Sequence, residues 1–282
     1  MSDTWSHWVR SGAWLSADGR TLPLMPGLMR DALALGLDPD AKPAALIKRV
    51  SSEQQLAARV LQLANFASNA PLRAVTSVDE AVLRLGTRAV QRALMAACIE
   101  SWSQPNIYGP EGLVQMDHAL GTACMCGLVA DHAGADSHEA FAYGLLHDVG
   151  KLFLLKSRTD FARRGGNPPM QAEFVETMAE IHPFIGEMAM HLWGLPIAIR
   201  EPIRFHHAPA EAATYKTEAA VAYVANRLSH RYGLGCEAKS ENTEESFIDD
   251  PVCASLRISE AWLAEMDKTA KPLFQNMRKG LQ

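Results

Sequence analysis

The chain has 282 residues, which at about 150 residues per domain allows one large domain or two small ones. Hydrophobic residues make up 48% and charged residues 21%, which excludes disorder as the dominant state. The 27 basic and 32 acidic side chains give a formal net charge of −5, a poor balance for sequence-independent nucleic-acid binding, which draws on neutralising phosphates.

No run approaches about 18 uncharged apolar residues, so no membrane-spanning helix is expected. The first residues, MSDTWSHWVRSGAW, lack a basic stretch followed by an apolar one, so no secretory signal is expected. Cys98, Cys124, Cys126, Cys236 and Cys253 make an odd count without framework spacing, which fits a reducing cytoplasm. Cys124 and Cys126 are two apart, which turns their side chains about 200° from each other on a helix.

In chain order the periodicity is helical almost throughout. Residues 22–35, LPLMPGLMRDALAL, read as a short helix started by prolines. Residues 44–50 and 53–66 carry apolar residues at helical spacing, with Leu56, Val60, Leu63 and Ala64 on one stripe. Ser77 and Glu80 form a capping box for residues 77–86, and Gly86 closes that helix. Residues 88–102 give another helix. The Pro/Gly-rich segment SQPNIYGPEG then separates two halves, taken as sub-bundles 21–108 and 109–278 behind an N-terminal extension, 1–20. The second half reads as helices at 113–133, 138–155, 170–180, 183–193, 196–206 and 217–232. An acidic loop follows over 235–250, then a last helix over about 256–277. The expected fold is all-α, two packed helical sub-bundles without an internal repeat.

Chemistry concentrates in the second half. Eight of the ten histidines lie between His118 and His207. His147 and Asp148 sit inside the apolar run LLHDVGK, where a buried carboxylate beside an imidazole is costly unless paired or bound to a cation. Lys151, three residues on, returns to the face of Asp148. His206-His207 ends a predicted helix. His182 opens another, with Gly186 and Ala189 on its face, and His118 has Gly121 and Thr122 beside it. Imidazole nitrogen and carboxylate oxygen suit Zn, Fe, Ni or Mn, so the set is adequate for a divalent transition metal. Any one of these histidines alone is more readily a core or surface residue; the joint pattern carries the metal reading. His191 lies about half a turn round the helix from His182, and His132 about 21 Å along from His118, so neither is expected to share the site. His7, His138 and His230 read as peripheral.

The ordered set His118, His147-Asp148, His182, His206-His207 resembles the HD superfamily of metal-dependent phosphohydrolases. More closely, nearly the whole chain resembles an HDOD domain. The resemblance rests on LPLMP (22–26), RVLQLANFAS (59–68), SVDEAVLRLG (77–86), AFAYGLLHDVGKLFLL (140–155), HPFIGEMAMHLWGLP (182–196) and FHH (205–207). It implies an all-helical fold, with an HD-like second sub-bundle, and a signalling or regulatory role in bacteria. The sequence departs from catalytic relatives in three places. HHAPAEAATYK replaces the GYP loop of cyclic-dinucleotide phosphodiesterases, Asn226 stands where catalytic HD domains place an aspartate ligand, and IKRVSSEQQLAA lacks an Asp-Pro pair.

Two functions follow. One is a regulatory HDOD module with a degenerate metal site, binding a signalling protein or small nucleotide and holding one metal or none. The other is a working phosphohydrolase. There His118, His147, Asp148, His182, His206 and His207 hold the metal, a metal-bound water acts from Asp148's site, and Lys151 holds the substrate phosphate. The first is favoured because of Asn226 and the missing GYP loop. Neither nucleic acid nor membrane is expected as a partner. Trp5, Trp8 and Trp14 either serve a homodimer or dock on their own core.

Overall fold

The computed structural model describes residues 4–11, 14, 33–38, 40–52, 54–67, 75–102, 108–236 and 247–281. The LPLMP motif and most of the acidic loop lie outside the described residues. Among those described, the fold is all-α, with no strand.

The first half holds α1 (Trp5–Arg10), a helical turn over 33–37, α2 (Pro43–Ser51), α3 (Gln54–Ala67), α4 (Val78–Leu85) and α5 (Thr87–Trp102). Ser77 caps α4 as its sequence suggests, its hydroxyl accepting from the Glu80 amide at 3.1 Å. The Glu80 carboxylate reaches back to the Thr76 amide at 3.3 Å. Asn65 ties α3 to the segment before α4: its side-chain nitrogen donates to the Leu61 and Val75 carbonyls, and its oxygen accepts from the Val75 amide at 2.7 Å.

The second half is built on α6 (Pro110–Ala133), about 36 Å long at 1.5 Å per residue. Around it stand α7 (Ser137–Leu146), α8 (Val149–Arg163), α9 (Gln171–Leu192), α10 (Ile197–Phe205) and α11 (Lys216–Tyr232). Helices α7 and α11 pack directly on α6, α8 packs on α9, and α10 bridges α9 and α11. After α12 (Pro251–Ser255), α13 (Glu260–Leu281) returns to pack on both α3 and α6, joining the two halves.

Among the described residues, α6 alone is long and apolar enough to cross a membrane, which the count of apolar residues in the sequence did not anticipate. Its apolar window is 72% buried within the protein, because α7, α11 and α13 cover it. Each Leu, Val or Met so covered contributes roughly 1.5–3 kcal/mol.

Three expectations are corrected. The apolar run 138–155 is two helices, broken at His147-Asp148. Asp148 sits at φ −100°, ψ 8°, the bridge region that helices do not propagate through. Conversely, 170–180 and 183–193 are one helix, α9, with Pro183 inside it. The last helix, expected over 256–277, is α13, Glu260–Leu281, and the short α12 stands before it, outside the expected span. The N-terminal tryptophans dock on the protein's own core: Trp5 and Trp14 are buried, and the Trp5 indole donates to Ser157 at 3.1 Å.

Candidate metal centre

The break between α7 and α8 turns Asp148 into the middle of the second half, where its carboxylate is 2% exposed. Four imidazoles present Nε2 to it. His147 and His118 approach Oδ2 at 3.3 and 3.6 Å; His182 and His206 approach Oδ1 at 3.1 and 3.7 Å. His207 completes the ring, its Nε2 lying 3.3 Å from that of His182. Four separate helical segments supply these groups: α6 gives His118, the α7–α8 junction His147 and Asp148, α9 His182, and the end of α10 His206 and His207.

Local structure fixes the rings. The Nδ1 of His147 donates to the Gly144 carbonyl, and that of His206 to the Ile203 carbonyl, each at 2.8 Å. His182 Nδ1 faces the Met178 and Ala179 carbonyls at 2.8 and 3.2 Å. Pro183 explains the second contact. A proline has no N–H, so the Ala179 carbonyl four residues back is left without its helical donor, and the neighbouring imidazole takes it. In three rings, then, Nδ1 holds a proton, and in the neutral ring Nε2 turns a lone pair inward.

Those lone pairs face one another and a carboxylate. His182 and His206 bring Nε2 to Nε2 at 3.3 Å, with both Nδ1 atoms already donating to carbonyls. The His147 Nε2, both nitrogens of His118 and the Asp148 Oδ1 are buried without a hydrogen-bond partner. Converging acceptors of this kind are unfavourable without a positive charge among them. One is present: the Lys151 ammonium donates to Asp148 Oδ2 at 2.5 Å. It serves Oδ2, and the Oδ1 side has no such cation.

A transition metal fits what remains. A metal–nitrogen bond of about 2.1 Å sets ligand atoms roughly 3.0–3.4 Å apart around one ion. Spacings of 3.1–3.7 Å among Asp148, His147, His182 and His206 are close to that. Donor atoms group as His118, His147, Asp148 and as His182, His206, His207, each set within 4.8 Å. Carbonyl-anchored imidazoles are the arrangement by which proteins orient metal-ligating histidines.

The electrostatics agree. Burial drives the His118 imidazolium down to about 3, with His147 adding repulsion. Burial likewise holds His206 well below the usual histidine range. His207 is lowered to about 4 by burial and by His182. Burial pushes the Asp148 carboxyl up, but the Lys151 ammonium and the contacts with His147 and His182 outweigh it, leaving it well below the usual carboxylate range. Neutral His118, His206 and His207 beside an ionised carboxylate are in the protonation states that metal binding needs.

The HDOD domain family matches residues 22–209, two thirds of the chain. The chain belongs to the HDOD family. Its matched stretch runs through the double histidine and stops two residues past it. An HDOD domain protein with unknown function from Geobacter sulfurreducens has the same fold, with a TM-score of 0.73 at 21% identity over 98% of this chain and 97% of that one. A candidate phosphohydrolase from Shewanella amazonensis SB2B superposes with a TM-score of 0.69 at 21% identity, covering 93% and 95% of the two chains. At these identities the likeness speaks for the fold alone. An uncharacterized protein of Treponema pallidum (strain Nichols) is 23% identical over 194 residues, 66% of this chain and 37% of that protein's length.

Within this HDOD domain, every residue singled out for the site lies in one cluster, Lys151 included. His118 is buried in it, 4% exposed. His7, His132 and His191 are exposed and lie apart from it, His132 bonding the Arg257 carbonyl. His138 and His230 do not read correctly as peripheral. His138 is buried and bonds the Gly36 carbonyl across the two halves, and the His230 ring lies 4.6 Å from that of His118. Neither carries a periodic signal, so the sequence does not mark them. Asn226 is buried on α11 with Oδ1 unpartnered. The segment that replaces a GYP loop is held from below. The buried Glu201 carboxylate accepts from the Thr214 amide at 2.8 Å and from the Ala213 amide.

Proposed function

We propose that this HDOD protein is a regulatory module whose imidazole–carboxylate centre holds a single divalent transition metal, Fe, Mn, Zn or Ni. His118, His147, Asp148, His182, His206 and His207 would bind the ion. The observation that carries the reading is the ring of inward Nε2 atoms on one buried carboxylate, three of them anchored through Nδ1 to helix carbonyls. A bound metal would supply Lewis acidity and a lowered pKa for its water.

The chain's own residues argue for regulation over turnover. Lys151 is held on Asp148 and would have to leave it to reach a substrate phosphate. Asn226 offers a neutral amide where a carboxylate would add charge for a second cation. The module's output is contact with a signalling protein or a small nucleotide, and metal occupancy of the centre sets the arrangement of α8, α9 and α10.

A second reading, a metal-dependent phosphohydrolase, is favoured by the completeness of the donor set. One experiment separates the two. The metal-loaded protein is offered phosphomonoesters, nucleotides and cyclic dinucleotides. Saturable nucleotide binding or none, without phosphate release or opening of the cyclic dinucleotide, supports the regulatory module. Turnover on the order of 1 s⁻¹, the low end for enzymes, supports the hydrolase.

A further inference from the structure

Beside the first centre stands a second set of metal-type donors. His230 lies at the end of α11 and Cys236 in the loop after it, both beyond the stretch that matches the family. We propose that His118, His230 and Cys236 form a zinc site of different donor chemistry, two imidazoles and a thiolate.

The geometry is suited to it. One donor atom from each residue lies within 4.8 Å of the others. Zn–N and Zn–S bonds of about 2.1 and 2.3 Å set tetrahedral neighbours roughly 3.4–3.6 Å apart. Cys236 Sγ and His230 Nδ1 already stand 3.4 Å apart. The His118 and His230 rings lie 4.6 Å apart and 31° from parallel. His118 is the independent pointer to a ligand: it is 4% exposed, and its Nδ1, the nitrogen not turned to Asp148, is buried without a hydrogen-bond partner.

The backbone puts Cys236 there deliberately. Gly235 has φ +71°, and a β-carbon on it would stand 2.1 Å from the Asp117 carbonyl carbon and 2.5 Å from the His118 amide nitrogen. Only glycine permits both that dihedral and that approach. The loop therefore lies flat on α6, with the next residue's thiol beside His118. Cys236 also borders a surface cavity of about 970 Å³, so an ion can enter from solvent and an exogenous fourth ligand can reach it.

Thiolate selects a softer ion than the imidazole–carboxylate centre requires: zinc suits it and manganese does not. On binding, the Cys236 thiol proton leaves to solvent as the metal–sulfur bond forms, and both imidazoles stay neutral. This site does not need the first to be loaded; a neutral imidazole has one lone pair, so His118 ligates one ion at a time, and when it holds zinc the first centre keeps His147, Asp148, His182, His206 and His207.

The test uses the metal-stripped full chain. Titrated with Co²⁺ as a spectroscopic substitute, it should develop a near-ultraviolet thiolate-to-cobalt charge-transfer band that saturates by about two equivalents, the first centre also taking up cobalt. Cys236→Ser should abolish the band; His182→Ala, which damages only the first centre, should leave it. In the unmodified protein, Zn²⁺ should protect Cys236 from iodoacetamide, read by mass spectrometry; Cys98, Cys124, Cys126 and Cys253 are buried. No band in the unmodified chain, a band that survives Cys236→Ser, or alkylation of Cys236 indifferent to zinc would each overturn the proposal. The protection assay stands even where Cys236→Ser fails to fold.

Discussion

Gly150 lies against His182 so closely that a β-carbon on residue 150 would stand 2.0 Å from the His182 carbonyl oxygen. That approach is what seats α8 on α9 beside the HD pair. Gly150→Ala must part the two helices, and overpacking of this kind costs about 1–3 kcal/mol. The urea midpoint should fall without a change in slope, and metal affinity should fall with it, because His182 and Asp148 move apart. Unchanged affinity in a destabilised variant would show that this contact does not position the centre.

The pKa shifts give a direction for acid. His118, at about 3, and His206, well below the usual range, are neutral in the folded protein, whereas the unfolded chain takes up protons near 6.5. Their contribution is complete above about pH 6.5 and is lost as the pH falls below it. His207, also lowered, is more exposed, so solvent screening reduces its share. Metal-free protein should lose on the order of 1–3 kcal/mol between pH 7 and pH 4.5, measured as urea midpoints. A midpoint that holds or rises on acidification contradicts this.

Lys151 is the positive charge that serves Asp148 in the metal-free protein. Lys151→Met keeps the aliphatic stem and removes the charge. The metal-free variant should be less stable by about 1–3 kcal/mol, since a buried carboxylate loses its partner. A divalent metal should restore more melting temperature to the variant than to the unmodified protein. Equal gains in both would mean that lysine and metal do not share the carboxylate.

Asn226→Asp restores a negative charge at the position where catalytic HD domains carry a ligand. It should tighten divalent-metal binding about tenfold or more, roughly 1.4 kcal/mol, and raise the metal stoichiometry of the first centre. Titration calorimetry with Mn²⁺ checks it. Affinity and stoichiometry equal to those of the unmodified protein would remove Asn226 from the account.

The helical class and the polar residues that cluster around Asp148 were legible, because polar residues embedded in apolar helices stand out against periodicity. What was hidden had physical causes. The apolar run continues from Leu145 to Leu155, so periodicity gives no sign that the chain breaks at His147-Asp148. Pro183 reads as a helix boundary because proline removes a backbone bond; the His182 imidazole takes up the freed carbonyl, so α9 continues. His230 and Cys236 are more than 100 residues from His118 in sequence. They meet it through the close seating of Gly235, which no spacing rule encodes.

The most direct test of the central claim is Mn²⁺ uptake by the metal-stripped protein, followed by the paramagnetic signal of free Mn²⁺. Manganese prefers the imidazole–carboxylate centre over a thiolate site. The account predicts about one equivalent bound, lost in Asp148→Asn and in His147→Ala variants that retain the helical circular-dichroism spectrum, and kept in Cys236→Ser. No uptake by the unmodified protein, or equal uptake by Asp148→Asn, would contradict it.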